Sequence, residues 1–149
     1  MITLTAHLEG ISAFRDHLLA AVGRLDAATK AATAAAGAVV ELETKNQLRK
    51  TSHSKKTPTP ASPGSPPSLI SGALMRSVAA QGPVGGAGTY VETAGPSIIY
   101  GRIQELGGDA GRHHASHLPA RPYMKPALEE SKPKLEALFV EAWTAALMG

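Results

Sequence analysis

The 149-residue sequence contains no cysteine and only six aromatic side chains. Without cysteine the chain forms no disulfide and offers no thiolate ligand or thiol nucleophile. No apolar run approaches the roughly 20 residues of a membrane span, and the N-terminus lacks the basic-then-apolar order of a signal peptide. These absences predict a soluble protein, made inside the cell, with a modest core and no membrane partner.

Motifs that commonly carry catalysis are also missing. There is no Gly-x-Ser-x-Gly elbow for a Ser/His/Asp hydrolase. The run Gly85-Gly86-Ala87-Gly88 lacks the Lys-Ser/Thr of a phosphate-binding loop, so a hairpin tip is favoured there. Adjacent carboxylates on a helix point apart, which argues against acid–base work by the Glu129-Glu130 pair. The sequence therefore predicts a protein that is not an enzyme and that needs no cofactor.

Three histidines, His113, His114 and His117, form the one cluster that suggests a metal. A His-His-x-x-His pattern can place two imidazoles one helical turn apart, as zinc ligands require. A preceding glycine and a following proline disfavour a helix, and Asp109 is the only carboxylate nearby. A solvated loop is therefore favoured over zinc, and a pH-sensitive contact between subunits stays open.

Positive charge is concentrated in one part of the chain. The formal net charge is +3, and residues 44–91 contain six basic groups and no acid. Five of the six are candidates for contact with phosphate or an acidic partner: Lys45, Arg49, Lys50, Lys55 and Lys56. We favour docking on an acidic neighbouring subunit. The alternative is a basic Ala/Pro-rich nucleic-acid-binding protein, whose affinity would fall with salt and would involve no base stacking on aromatics.

Residues 1–50 are predicted to be mainly helical. Apolar side chains recur every three or four residues from Ile11 to Leu42, which indicates an amphipathic helix ending near Leu48, with Gly23 as a candidate kink. Ile2–Leu4 is predicted to be a short edge strand. Residues 51–68 contain five prolines and read as a basic, extended arm.

Residues 69–149 are predicted to form a sheet and a C-terminal helix, completing a single domain over 1–149. Two strands, 74–81 and 89–93, are joined by a flexible glycine-rich tip at 82–88. A short helix over 97–106 is opened by Gly95-Pro96 and closed by Gly107-Gly108, and 109–119 is loop. The last helix starts at Pro122 or Pro126 and runs to about Met148, with Pro133 implying a break near Ser131 or the start of a second segment. The predicted fold class is α+β: a long N-terminal helix and a C-terminal helix packed on a small antiparallel sheet, with a long Pro-rich loop.

Three motifs occur in a fixed order along residues 72–126. They are Gly72-Ala73-Leu74-Met75-Arg76-Ser77, a segment with Tyr100, Glu105 and Gly107, and Pro119-Ala120-Arg121-Pro122-Tyr123-Met124-Lys125-Pro126. With this ordered set the chain, over roughly residues 50–148, resembles the head–tail joining (neck, or tail-completion) proteins of long-tailed phages and prophages. It departs from that family's pattern in its His-rich 107–119 loop and in the length of the Pro-rich arm.

The resemblance implies a structural virion protein of the phage neck, assembled in the bacterial host cytoplasm. It implies a homo-oligomeric ring between the DNA-filled head and the tail. The other partners implied are adaptor or stopper (connector) proteins, a tail terminator or tail tube protein, and passing genomic DNA. The candidate interface residues are those of the motifs: Gly72, Leu74, Arg76, Ser77, Tyr100, Glu105, Gly107, Arg121, Pro122, Tyr123 and Pro126.

The aromatic and charged members of these motifs allow two interpretations. Arg121 and Tyr123 are residue types favoured as interface anchors. Alternatively, Tyr123 staples the last helix to the sheet, and the two interpretations are weighed equally. Tyr100 is expected in the core, and Glu105 is expected on the surface or at an interface.

Overall fold

The computed structural model describes residues 10–52 and 61–149. The predicted edge strand at residues 2–4 lies outside them, as do Lys55 and Lys56. The fold is α+β, as predicted, with long N- and C-terminal helices and small antiparallel two-stranded sheets. Its elements are α1 (Ile11–Arg49), α2 (Ala73–Ser77), β1 (Val78–Gly86), β2 (Thr89–Pro96), α3 (Gly101–Leu106), β3 (Gly108–Ala110), a 3₁₀ turn (Arg112–His114), β4 (Ser116–Leu118) and α4 (Met124–Met148).

The first helix, α1, is unbroken over 39 residues, which corresponds to about 58 Å. Its predicted extent is confirmed. Gly23 does not kink it, because the neighbouring turns supply strong helix formers and a glycine in mid-helix costs only about 1 kcal/mol. Every residue from 11 to 20 is exposed, and the buried positions begin at Ala32. The N-terminal third of α1 therefore extends beyond the packed body.

The last helix, α4, runs antiparallel to α1. Lys50 contacts Glu130 near the beginning of α4 (3.3 Å), whereas Trp143 near its end donates to the Thr29 hydroxyl (3.0 Å). Both predictions for Pro133, a break near Ser131 and the start of a second segment, are wrong, because α4 continues through Pro133. Pro133 is exposed, so water can reach the carbonyl that loses its partner, and packing on α1 holds the helix together.

Strands β1 and β2 form an antiparallel hairpin that lies on α1. The predicted flexible tip over 82–88 is wrong: β1 continues to Gly86, and the turn itself is Ala87-Gly88. The irregularity sits instead within β1, where the register shifts between Gln81 and Val84. Glycines in this strand reach backbone angles that other residues avoid, so the chain can pair through a sequence that resembles a loop.

The segment before β1 is helical rather than extended. Strand was predicted from residue 74, but residues 73–77 form α2 and the strand begins at Val78. Gly72, with φ of 73°, turns the chain into this helix, and the Ser77 hydroxyl donates to the Leu74 carbonyl (2.7 Å). Because these contacts are local, they override the strand propensity of the sequence.

Two predictions for residues 95–119 are also wrong. Gly95 and Pro96 do not open a helix, because they pair with β1; residues 97–100 then turn, and α3 begins at Gly101. The predicted loop at 109–119 contains a second small hairpin, β3–β4, in which Gly108 pairs with Leu118. Three-residue strands carry too little periodicity to be recognised from sequence.

The core is small and sits where α1 ends, β1 begins and α4 begins. Leu48, Val78 and Tyr123 are its buried members. Partly buried side chains of α2 and α4 surround them: Leu74, Met75 and Met124. This position places the core directly beneath the three sequence motifs.

Candidate functional site

The first turn of α4 is capped by a side chain from α3. Glu105 accepts hydrogen bonds from the backbone N–H groups of Tyr123 (2.7 Å), Met124 (2.9 Å) and Lys125 (3.0 Å). A helix leaves four N–H groups without partners at its start, and the next residue, Pro126, has none. Every N–H group at the start of α4 therefore has an acceptor, because three donate to Glu105 and Pro126 has no N–H. The negative charge of Glu105 also lies at the positive end of the helix dipole, which is favourable.

Tyr123 lies beneath this cap and is fully buried. Its hydroxyl donates to the Gly101 carbonyl at the beginning of α3 (3.0 Å). Burial, reinforced by the nearby Glu105 charge, raises the pKa of the Tyr123 phenol well above its usual range, so the phenol stays a neutral donor. These contacts favour the interpretation in which Tyr123 fastens the last helix to the body of its own chain. The buried side chain leaves no exposed surface for contact with another protein.

Arg121 joins the same region to the end of the Pro-rich arm. Its backbone N–H donates to the Gln104 carbonyl (2.7 Å), and its Nε donates to the Ala61 carbonyl (3.0 Å). Gly64 adds a backbone bond to the Ala120 carbonyl (2.9 Å). Arg121 and Pro122 are half-buried. The arm's described end, from residue 61 onward, thus lies on the chain's own body.

The remaining motif residues support the backbone around this centre. Gly107 (φ 69°) ends α3 where a side chain would meet the Ala120 nitrogen at 2.7 Å, so only glycine fits. Arg76 folds back to the Ser71 carbonyl (3.0 Å), and the Ser77 carbonyl accepts from the Ser97 N–H (3.0 Å). We call the assembly of Glu105, Tyr123, Arg121, Gly101 and Gly107 the motif joint.

Tyr100 is one of the motif residues that lie outside the joint. Its side chain is 39% exposed, so the expectation of a core position is wrong. It sits in the turn before α3 and lines a groove of about 170 Å³ with Leu48 and Ile70. Glu105, expected at the surface or an interface, instead binds within the chain, because it is the acceptor that the first turn of α4 requires.

The candidate basic cluster is partly neutralised in the fold. Lys45 binds Glu41 one turn earlier in α1, and Lys50 contacts Glu130 of α4. Arg49 is exposed. The described part of the chain thus brings two of the candidate cations to carboxylates rather than onto a shared phosphate-binding surface.

The histidine cluster forms a turn, not a helix face. His113 and His114 have positive φ angles, and His117 bonds through Nδ1 to Asp109 (2.8 Å). Within residues 10–52 and 61–149, no group of three or more His, Asp or Glu side chains is arranged to hold a metal ion. In the same part of the chain, no helix has both the length and the apolar content needed to cross a bilayer.

Sequence reasoning missed two carboxylates that tie the hairpin to α1. Asp26 accepts from the Gly88 N–H (2.6 Å) and from the Tyr90 hydroxyl (2.8 Å). Glu41 accepts from the Ala80 N–H at the other end of β1 (2.7 Å). Each partner is 39 to 64 residues away, so no local signal marks these carboxylates.

The tie at Asp26 predicts an acid-sensitive hairpin. The Tyr90 hydroxyl, with the Gly88 N–H, holds the pKa of Asp26 below its ordinary value of about 3.9. A folded-state pKa below the unfolded one gives stability that is present above about pH 4 and lost as the pH falls through the folded pKa. We expect the wild type to have a higher melting temperature than Asp26→Asn at neutral pH. In acid, the two melting temperatures should become equal.

Thermal unfolding measured from neutral pH to about pH 3 checks this prediction. Asp16→Asn is the matched control, because Asp16 bonds only to its exposed neighbour Arg15 among the described contacts. A constant difference between wild type and Asp26→Asn at every pH would contradict the carboxylate tie.

No protein-family model, curated protein or solved structure matches this chain.

Proposed function

We propose that this protein is a structural subunit of a phage neck, a ring-forming connector that joins the DNA-filled head to the tail. The proposal rests on the resemblance of residues 72–126 to the head–tail joining family. In this role the subunit performs no chemistry. It holds surfaces in position, and many weak contacts made by repeated copies add up to a stable ring.

The observation that carries the proposal is the motif joint. Glu105, Gly107, Arg121 and Tyr123 come from separate motifs, yet they bond directly to one another's segments and fix α3 against the start of α4. Such an arrangement explains the motifs as a framework rather than as a catalytic centre. It supports a protein whose essential residues maintain a shape.

A second observation supports an assembling subunit. The described core is small, while many large apolar side chains are exposed on α1, α3 and α4. Exposed apolar patches beyond a few hundred Å² mark interaction sites in soluble proteins. A neck subunit would cover such surfaces with neighbours.

The proposal predicts a defined assembly defect. In the phage or prophage that encodes the chain, blocking its production should leave packaged heads and finished tails that fail to join, as seen by negative-stain electron microscopy. Supplying the wild-type chain in trans should restore joined, infectious particles. Normal infectious particles without the protein would remove the neck assignment.

A titration with duplex DNA at moderate salt distinguishes the neck proposal from the nucleic-acid-binding alternative. It predicts tight, salt-dependent binding that is abolished when Lys45, Arg49, Lys50, Lys55 and Lys56 are neutralised. The neck proposal predicts weak or no binding by the isolated subunit, because Lys45 and Lys50 already contact carboxylates of their own chain.

A further inference from the structure

An apolar helix face extends past the end of α4. The Arg24 guanidinium reaches the Ala146 carbonyl (2.9 Å), so α4 ends beside this part of α1. Before it, five large side chains are 51–65% exposed, and we call them the overhang surface: Ile11, Phe14, Leu18, Leu19 and Val22. Ile11 lies 18 residues, or about five helical turns, before Thr29, which contacts α4. The overhang surface therefore continues the face of α1 that α4 covers.

A second apolar surface lies at the other end of the molecule, around α3. We call it the head surface: Ile70, Ile99, Tyr100 and Leu106, all exposed. Grooves of about 170 Å³ and 310 Å³ flank α3, the first between Tyr100 and Leu48 and the second between Ile99 and Leu106. Leu48 is 26 residues beyond Val22 on the same helix, a distance of about 40 Å.

We propose that the overhang surface of one copy docks on the head surface of the next copy of this chain. The inference rests on the proposed ring-forming function and assigns the surfaces that close the ring. Phe14, Leu18 and Val22 form a ridge with a spacing of four residues, the kind of ridge that packs into a groove between side chains.

The areas agree with a specific contact between two copies. The exposed fractions correspond to on the order of 600 Å² on the overhang surface and 500 Å² on the head surface, where the almost fully exposed Ile99 contributes most. Complete coverage of both surfaces would bury about 1,100 Å², just above the roughly 1,000 Å² that is the lower limit for a biological interface.

The separation of the two surfaces determines the kind of assembly. Because they lie about 40 Å apart along a rigid helix, they cannot cover each other within one subunit. When each copy docks its overhang on a different neighbour, the contact is heterologous, and it produces closed rings or helical filaments.

Two surface variants and a matched control test the proposal. The overhang variant is Phe14→Glu with Leu18→Glu, and the head variant is Ile99→Glu with Leu106→Glu. The control, Leu42→Glu with Val84→Glu, changes two comparably exposed apolar residues that lie on different elements and outside both surfaces. Far-ultraviolet circular dichroism checks that each full-length chain is folded, and sedimentation velocity measures its mass.

The wild type and the control should assemble into species larger than two chains. Each surface variant alone should lose assembly, with association weakened by about 30-fold or more. An equimolar mixture of the two surface variants should form a complex of two chains and nothing larger, because each contributes one intact surface.

A mixture that stays monomeric, or a wild type that is monomeric at its highest soluble concentration, would overturn the proposal. The proposal would also be overturned if the overhang variant loses assembly while the head variant still assembles, because overhang surfaces would then be pairing with one another. The result is independent of the neck assignment. Pairing of the mixed variants alongside normal particles in the depletion experiment would keep the interface and remove the neck role.

Discussion

Tyr123→Ala is expected to lower the free energy of unfolding by about 3–5 kcal/mol, the cost of removing a large aromatic side chain from a core. Tyr123 is fully buried against Leu48 and Val78, and the described core has few other large members. Because single domains of this size are stable by about 5–15 kcal/mol, this loss would remove from about one fifth to all of the free energy of unfolding.

Urea unfolding followed by circular dichroism measures this loss, with two further variants beside it. Tyr123→Phe keeps the ring and removes the donor to the Gly101 carbonyl, which should cost about 1–3 kcal/mol. Tyr100→Ala removes a tyrosine that is 39% exposed in the turn before α3, and it should cost far less. Equal losses for Tyr100→Ala and Tyr123→Ala would contradict the assignment of Tyr123 as the staple.

Glu105→Ala is expected to cost about 2 kcal/mol, more than a typical helix cap, because one carboxylate serves three N–H groups. The effect should be local. Amide hydrogen exchange at Tyr123, Met124 and Lys125 should accelerate most, because these donors lose their acceptor while the remainder of α4 keeps its contacts with α1.

Two variants make the Glu105 experiment specific. Glu105→Gln retains an acceptor oxygen but not the charge, so it should fall between wild type and Glu105→Ala. Glu129→Ala removes an exposed α4 carboxylate paired with Lys132 and should leave the free energy of unfolding nearly unchanged, because solvent screens exposed ion pairs. Unchanged exchange at the three amides in Glu105→Ala would show that the cap does not hold α4.

The parts of the fold that the sequence predicts are the long ones. Ten apolar positions at helical spacing, from Ile11 to Leu42, identify α1, and the last helix ends within a residue of its predicted end. Short elements were missed because a few local contacts decide them. Gly72 and Ser77 make α2 helical, and glycines allow β1 to continue to Gly86.

The candidate site was predicted in its residues but not in its contacts. The motifs named Glu105 and Tyr123, yet their order along the chain does not show that one caps the helix that the other begins. Tyr100 was misplaced for a related reason: an aromatic residue beside a short helix can face the core or the solvent, and sequence order does not show which. Asp26 lacked any signal, because its partner Tyr90 is 64 residues away.

The uninterrupted course of α1 also restricts how its length can change. Each residue added to or removed from the helix between the overhang and the body would turn the overhang by about 100° and shift it by about 1.5 Å. A change of one residue would thus aim Phe14 and Leu18 away from the face that α4 covers. A change of seven residues, close to two full turns, would restore the direction. Related chains should therefore differ in this segment by whole numbers of turns, because the length of the helix sets both the distance and the direction of the overhang surface.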